Sequence, residues 1–410
     1  MKLSKRERML KFLELDDQPD KCPVFTFGFE VAGYGMKQYL ESEWHKNNVV
    51  GPENINWGPE KFRRRTAYVT TIAKFFKADT WLIDPFKKYK RNILSFDEPI
   101  IKEIKEEFPE AYEKYGLKED SEYNWNCLSG RIMEKGYNNI TGVAHEWFVS
   151  GIFQDKKILE KVWDHYGKPI DRVWDEPFSQ QVWEEYTEGM SPYFYPMANI
   201  SIPLSEYIME SHGHGYCAKL MRKDPEYIHY LADEYAKANC ETIKRLGEAG
   251  VDIVMFLDDL GQKNRTLYSP KHFREFILPA YKKIYQTARK HGVFVVQHSC
   301  GYLESILESM VDAGLHAIQG LQPTANNSLE WAVETLGDKM AIMSVLDDSR
   351  ILEYGTPKDV EEDVKRAIRI AGPTGNFSVG PTNTLLDPPF ENVLAMIDAM
   401  EKYSYYPLKV

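Results

Sequence analysis

Between residues 225 and 402, short apolar runs alternate with longer stretches of helical periodicity. Each strand-plus-helix unit is about 30 residues long, which is typical of a β-strand joined to the helix that packs on it. The predicted strands lie at 252–257, 293–296, 315–319, 340–345 and 376–380, and the predicted helices at 225–249, 270–291, 303–313, 328–336, 357–371 and 390–402. Regular alternation of this kind predicts a parallel sheet covered by helices.

The first half of the chain adds three strand candidates, at 23–27, 80–83 and 193–201. Eight strands followed by helices predict an α/β chain that folds as one closed (β/α)8 TIM barrel over residues 1–410. The pattern becomes irregular from about 94 to 190, with acidic amphipathic helices at 103–115, 157–163 and 179–186. This stretch is predicted to be an insertion that either caps the barrel mouth or forms a solvated flank.

Charge and composition exclude several classes of function. The chain has 51 Lys and Arg against 62 Asp and Glu, a net charge of −11, which disfavours a nucleic-acid partner. Five scattered cysteines indicate a reducing compartment rather than a disulfide framework. The charged N-terminus is unlike a signal peptide, and no apolar run reaches the length of a membrane span. We therefore expect a cytoplasmic protein, and an acidic insertion is compatible with a homo-oligomer.

Polar residues at the carboxyl ends of the predicted strands are the candidates for chemistry, because the active-site loops of a (β/α)8 barrel converge there. Asp258 and Asp259 follow the strand at 252–257. Successive side chains on an extended segment point to opposite sides, so at most one of these carboxylates should face the barrel axis. A catalytic role and a role as a loop or helix cap both stay open.

His298 and Cys300 follow the strand at 293–296 and lie on the same side of an extended chain. An imidazole and a thiolate placed in this way can bind one metal ion, although buried packing explains both residues equally well. A second concentration of imidazole and sulfur comprises His212, His214 and Cys217. The other candidates at strand ends, most of them expected to be caps, are Glu30, Asp84, Gln319, Gln322, Asp347, Asp348 and Asn383. Glycine-rich phosphate loops and a serine nucleophile elbow are absent from the sequence, which removes nucleotide-dependent and α/β-hydrolase functions.

Several of these segments together resemble the uroporphyrinogen decarboxylase superfamily. They are DIVMFLDDLG at 252–261, LYSP at 267–270, HSCG at 298–301 and VEEDVKRAI at 360–368, and the resemblance extends over roughly 195–402. The superfamily has the (β/α)8 barrel fold and includes porphyrinogen decarboxylases and corrinoid-dependent methyltransferases. The resemblance therefore implies one of these two chemistries.

The segment after the first strand separates the two branches. Porphyrinogen decarboxylases have Arg-Gln-Ala-Gly-Arg-Tyr there, and the two arginines bind the acidic side arms of the tetrapyrrole. This chain has Glu30 and Tyr34 where those arginines would stand. Because an anion repels a polycarboxylate, the sequence favours the methyltransferase branch. In that branch His298 and Cys300 match two zinc ligands, whereas the third, a cysteine expected near 380–382, is missing. Glu30, Asp258, Asp259 and Cys217 are alternative donors.

The resemblance to O-demethylase-type methyltransferases implies transfer of a methyl group from a methylated small molecule, such as an aryl methyl ether, to the cobalt(I) of a corrinoid (cobalamin) on a partner protein. His298, Asp258, Asp259 and Glu30 are the expected catalytic residues, with zinc as a candidate cofactor. Substrate contacts are expected from Tyr34, His212, His214, Gln319, Asp347 and Asn383. The alternatives are methyl transfer to a thiol or tetrahydrofolate, porphyrinogen decarboxylation, and a barrel that only binds a small molecule.

Overall fold

A computed structural model describes residues 2–15, 18–30, 33–55, 60–83, 123–126, 129–137, 144–173, 180–200 and 203–410, with the single positions 102, 106 and 109. The strands within these residues, β1 to β12 in chain order, are Thr80–Ile83, Tyr123–Asn126, Arg131–Tyr137, Ala144–Gly151, Tyr195–Asn199, Ile253–Leu257, Gly261–Gln262, Arg265–Thr266, Phe294–His298, Ala317–Gln319, Ala341–Met343 and Phe377–Ser378.

The main sheet is parallel and follows the order β1-β5-β6-β9-β10-β11-β12. Its strands lie within two residues of the predicted bounds, because continuous apolar runs are typical of parallel strands buried on both faces. A separate two-stranded ribbon, β7 and β8, follows β6.

The segment at 23–27 closes this sheet into a barrel. On one side, Val24 forms a parallel bridge with Val379, and the Phe25 N–H donates to the Val379 carbonyl at 3.2 Å. On the other side, the Asp79 N–H at the start of β1 donates to the Val24 carbonyl at 2.8 Å. The two outer strands of the sheet are therefore joined through an eighth strand-like segment, which confirms the predicted (β/α)8 barrel.

The Asp79 carboxylate completes this closure. Its Oδ2 accepts the Val24 N–H at 2.9 Å, where a backbone carbonyl would otherwise be needed. Arg8 Nη1 and Lys21 Nζ lie 2.6 and 3.0 Å from the same carboxylate, whose side chain is 2% exposed. A buried carboxylate is tolerated when paired cations and an N–H donor satisfy its oxygens.

The helix Lys5–Glu14 covers the amino-terminal end of the barrel. Its side chains Met9, Phe12 and Leu13 are buried in the same cluster as the interior residues Phe25, Tyr195, Met197, Ile253, Met255, Val296, Ala317, Ala341 and Met343. The barrel is thus filled with side chains from within and plugged from one end, which leaves the opposite end for chemistry.

The outer helices include the six predicted in the C-terminal half, together with others that were not predicted. In the C-terminal half they are Ser205–His212, His214–Lys223, Pro225–Glu248, Leu278–Lys290, Glu304–Asp312, Leu329–Leu336, Ile351–Tyr354, Pro357–Ala371 and Phe390–Tyr403, and a π-helical turn Phe273–Ile277 precedes the fourth. The N-terminal half has Tyr34–Glu41, Glu43–Asn48 and Glu60–Phe75. N-terminal caps determine where such helices begin. In Pro357–Ala371 the Thr356 hydroxyl accepts the Asp359 N–H, and Pro357 occupies the first helical position.

The predicted insertion contains an antiparallel sheet, β2-β3-β4, that the sequence analysis missed. Two of its predicted helices occur as Lys156–Tyr166 and Gln180–Met190, whereas the one at 103–115 lies outside the described residues except for 106 and 109. The sheet lies against the helix Ser205–His212, since the Phe153 N–H just after β4 donates to the Ser211 carbonyl at 2.8 Å. The division into a barrel and an insertion at about 94–190 stays a prediction.

None of the described helices combines the length and the low polarity needed to cross a lipid bilayer.

We expect Asp79→Asn to lower the free energy of unfolding by about 3–5 kcal/mol, because it removes the counter-ion of the buried Lys21 ammonium and leaves Arg8 with Asp20 alone. Urea denaturation measures this change. The matched control is Glu43→Gln, which breaks the exposed Lys46–Glu43 pair and should change stability little. Equal stability of the two variants would show that the Asp79 network does not hold the barrel closed.

Candidate functional site

Three potential metal ligands meet at the carboxyl end of the barrel. Ligand atoms of Asp259, His298 and Cys300 lie within 4.8 Å of one another. The cause is sheet topology: β6 and β9 are parallel neighbours, and Leu257 pairs with His298. The two loops that follow are joined because the Cys300 N–H donates to Asp259 Oδ1 at 2.7 Å.

The imidazole of His298 is held in one orientation. Its Nδ1 hydrogen-bonds to Gln319 Oε1, and Gln319 Nε2 donates to the Thr382 carbonyl at 3.0 Å. Because that carbonyl can only accept, the amide oxygen of Gln319 faces His298, and Nδ1 is assigned the proton. The lone pair of Nε2 then points to the cluster, 3.5 Å from Cys300 Sγ and 3.8 Å from Asp259 Oδ1. Metal-bound histidines are commonly oriented in this way.

Cys300 is held by Asn383, whose Nδ2 donates to Sγ at 3.3 Å. Burial and the nearby Asp259 carboxylate raise the pKa of the Cys300 thiol well above its usual range. A bound cation would reverse this preference, because metal-coordinated thiols are deprotonated. A carboxylate oxygen, an imidazole nitrogen and a thiolate sulfur are all zinc ligands, and three protein ligands with an open fourth position are typical of catalytic zinc. The residues present therefore fit zinc.

Asp258 points away from this cluster. Its carboxylate accepts the backbone N–H groups of Leu204, Ser205 and Glu206 at 2.8–2.9 Å and the hydroxyl of Tyr281. It thus caps the helix Ser205–His212. Burial and the Glu206 charge raise the pKa of Asp258 to about 7 although these hydrogen bonds act in the opposite direction. The two adjacent aspartates face opposite sides, as an extended segment requires.

Three charged residues next to the cluster were missed by the sequence analysis. Burial raises the pKa of Glu206, which accepts the Asp259 N–H, and raises the pKa of Glu210 to about 8. Arg131 of β3 lies 3.0 Å from Glu206 and 2.6 Å from Glu210. The i, i+4 spacing of the two glutamates could have indicated a shared helix face. Nothing in the sequence links Arg131 to them, because that contact depends on the placement of the insertion.

Other predicted site residues lie at the rim without joining the cluster. Glu30 lies near Tyr68, whose pKa is raised by burial and by this carboxylate. The Tyr34 N–H donates to Asp387 Oδ1 at 2.7 Å, and the Tyr34 side chain is exposed. Asp347 accepts the Arg350 N–H at 2.9 Å and pairs with the Arg350 guanidinium.

The remaining rim candidates tie loops together. Gln322 Oε1 accepts the Gly301 N–H at 2.8 Å, and Asp348 accepts the Thr382 hydroxyl. Gln319, predicted to contact substrate, is fully buried behind His298. Asp84 lies outside the described residues.

His212 and His214 line a separate cavity of about 250 Å³ beside β4. His212 is buried, with Nδ1 2.8 Å from the Ser211 hydroxyl and Nε2 3.3 Å from the Tyr227 hydroxyl. His214 is half-buried, and its ring lies 5.7 Å from that of Phe148. The two imidazoles therefore do not extend the Asp259–His298–Cys300 cluster.

Comparisons with known proteins agree with this architecture. Residues 201–403 match the sequence model of a family described as Uroporphyrinogen decarboxylase (URO-D). A uroporphyrinogen decarboxylase of Chromohalobacter salexigens is 26% identical over 214 residues, which are 49% of this chain and 56% of that protein. One of Thermus thermophilus is 26% identical over 187 residues, or 45% and 51% of the two chains. This chain spans about half the length of these curated relatives.

A solved structure of a methyltransferase from Methanosarcina mazei has a similar fold. The TM-score is 0.59 at 15% sequence identity, and the alignment covers 98% of this chain and 99% of that one. Fold and site define a (β/α)8 barrel with its candidate chemistry at the carboxyl ends of the strands. Residues 201–403 of this chain are therefore similar to the uroporphyrinogen decarboxylase family.

We expect His212 to make folding pH-dependent. Burial lowers the pKa of His212 from 6.5 to about 4, so only the unfolded chain binds this proton between those values. Stability is thus lost as pH falls from 6.5 to 4, by up to about 3 kcal/mol from this group. In urea denaturation across this range, His212→Gln should show a shallower pH dependence. Replacement of the exposed His165 by Gln is the control, and an undiminished slope in His212→Gln would contradict the assignment.

Proposed function

We propose that this protein transfers a methyl group from a methylated small molecule to the cobalt(I) of a corrinoid carried by a partner protein. The observation that carries the proposal is the Asp259–His298–Cys300 cluster at the catalytic end of the barrel. The fold likeness to a methyltransferase along 98% of the chain supports it.

Electrostatics at the rim favour methyl transfer over porphyrinogen decarboxylation. A carboxylate, Glu30, stands where the resemblance would require an arginine for the tetrapyrrole side arms. Beside the cluster, the Arg131 guanidinium is paired with both Glu206 and Glu210. A substrate with several carboxylates would therefore meet the Glu30 carboxylate and an arginine that is already paired.

Asp259, His298 and Cys300 would hold a zinc ion, with Asp259 as the donor in place of the missing cysteine. Zinc bound there supplies Lewis acidity toward an oxygen of the substrate. Gln319 keeps the proton of His298 on Nδ1, so that this imidazole serves as a ligand and not as a general acid. Asn383 donates to the Cys300 sulfur and fixes its position.

The donor class that we propose is an aryl methyl ether. Phe27 lies edge-on to His298 with 5.2 Å between ring centroids and is only partly buried, which offers an apolar wall beside the ligands. An aryl ether oxygen is a poor leaving group unless it is protonated or coordinated as the methyl group departs. Cobalt(I) requires reducing conditions, and the cysteines Cys22, Cys217, Cys240 and Cys300 are free, so we assign the reaction to the cytoplasm.

The test is incubation of the purified protein with free cob(I)alamin and, in separate reactions, aryl methyl ethers, methylamines and methanol. We expect the methylcobalt(III) absorption spectrum with the aryl ethers, and no reaction with the same ethers when protein is omitted. Methylation from another donor only would overturn the donor class. Consumption of methylcobalt(III) on addition of a thiol or tetrahydrofolate would reverse the direction, and decarboxylation of a porphyrinogen would overturn the proposal.

The adjacent aspartates provide a matched pair of variants. Asp259→Asn should weaken zinc binding by at least about 100-fold, because even changes outside the ligand set cost 10–100-fold. Its rate of methyl transfer should fall by about two to four orders of magnitude. Asp258→Asn should keep its zinc and lose about 1–3 kcal/mol of stability, since it disturbs a buried helix cap. Zinc titration, transfer rate and urea denaturation separate the two effects. Wild-type zinc affinity in Asp259→Asn would remove this residue from the ligand set.

A further inference from the structure

We propose that an exposed apolar patch beside the cluster is the docking surface for the corrinoid-carrying protein. The rim patch consists of Tyr34, Tyr354 and Leu386, with the acids Glu353 and Asp387 among them. This inference rests on the proposed function, and it names the surface and the chemistry of the partner: an apolar face bordered by basic side chains.

The rim patch brings together loops that follow three different strands. Tyr34 follows the segment at 23–27, Tyr354 ends the short helix after β11, and Leu386 follows β12. The Tyr34 N–H donates to Asp387 Oδ1 at 2.7 Å, and the Asp387 N–H faces the Glu353 carboxylate. These contacts hold the three loops next to one another at the rim.

A glycine sets how closely the first and last of these loops approach. A Cβ on Gly33 would lie 2.1 Å from the Leu386 carbonyl oxygen, so a side chain there would push the loops apart. The Gly35 N–H also donates to that carbonyl at 3.4 Å. The first and last of these loops therefore meet backbone to backbone at the rim.

The large side chains of the rim patch are unusually exposed. The exposed fractions are 81% for Tyr354, 51% for Leu386 and 40% for Tyr34. Single exposed apolar residues are common on protein surfaces, whereas a cluster bordered by charged groups is typical of an interaction site. Tyrosine is also enriched among the residues that dominate binding energy at interfaces.

The rim patch is adjacent to the proposed chemistry. Asn383, which donates to Cys300 Sγ, precedes Leu386 by three residues, and three residues span at most about 11 Å. Methyl transfer requires the cobalt of the partner to reach the donor at this end of the barrel. A protein that carries the corrinoid must therefore cover this rim, and the patch offers it an apolar contact there.

The charge of the rim indicates the chemistry of the partner face. Glu353 and Asp387 lie within the patch. The nearby Arg350 is neutralised by Asp347, whose Oδ2 lies 2.9 Å from Arg350 Nη2. The chain as a whole carries a net charge of −11. A partner with basic residues around an apolar centre would be attracted to this surface and oriented by it.

The test compares free and protein-bound corrinoid in the double variant Tyr354→Ser/Leu386→Asn. The substrates are free cob(I)alamin and a purified, cobalamin-loaded methyl-accepting corrinoid protein, each reduced to cobalt(I). We expect kcat/KM with the protein-bound corrinoid to fall by at least about 10-fold. The rate with free cob(I)alamin should stay within about 2-fold of wild type, because neither residue belongs to the cluster. The control is Tyr405→Ser, which removes a 43% exposed tyrosine at the opposite end of the barrel, beside Lys21, and should change neither rate.

Each other outcome decides against the proposal. Equal losses of activity with free and protein-bound corrinoid would show that the patch stabilises the active site and does not bind the partner. Unchanged activity with both would place the docking surface elsewhere. A concentration-dependent dimer in sedimentation that the double variant abolishes would assign the patch to a second copy of this chain. Absence of methyl transfer by the wild type with either corrinoid would overturn the proposed function itself, and the docking surface with it.

Discussion

The Asp79 carboxylate closes the barrel between the segment at 23–27 and the first strand of the sheet. The segment at 23–27 pairs with β12 by ordinary backbone hydrogen bonds, but toward β1 a side-chain oxygen of Asp79 takes the place of a carbonyl. Arg8 reaches the same carboxylate from the helix that plugs the amino-terminal end. Gly380 permits the close approach, since a Cβ there would lie 1.8 Å from the Phe25 carbonyl oxygen. With one end filled and the sheet closed, the carboxyl ends of the strands form one rim.

The candidate site is a direct consequence of this topology. Parallel neighbours β6 and β9 end side by side, so residues distant in sequence deliver a carboxylate, an imidazole and a thiol to one point. The next strand, β10, ends in Gln319, which fixes the imidazole from behind and is itself held by the Thr382 carbonyl. Three neighbouring strands thus build the site: Asp259 follows β6, His298 and Cys300 lie at the end of β9, and Gln319 ends β10. A parallel sheet places these strand ends next to each other.

Much of this could be predicted from the sequence, and the exceptions have physical causes. Apolar runs between capped helices predict the strands well, because a parallel strand buried on both faces is apolar at nearly every position. The pairing of His298 with Cys300 follows from their spacing. The sequence could not decide between Asp258 and Asp259, because their directions depend on where the helix Ser205–His212 needs its cap. Nor could it place Arg131, whose strand belongs to a sheet held against that helix by long-range contacts.

The proposed exchange of a cysteine for Asp259 bears on what the site can activate. A thiolate and a carboxylate each carry one negative charge. A zinc site with one of each therefore has the same net charge as a site with two thiolates. A carboxylate donates less electron density than a thiolate, because oxygen is the harder and less polarizable ligand. The ion is then left a stronger acceptor at its open position, and hard acceptors favour oxygen over sulfur. Such a donor set suits polarisation of an ether or alcohol oxygen better than activation of a thiol, which supports the proposal that the protein acts on the methyl donor.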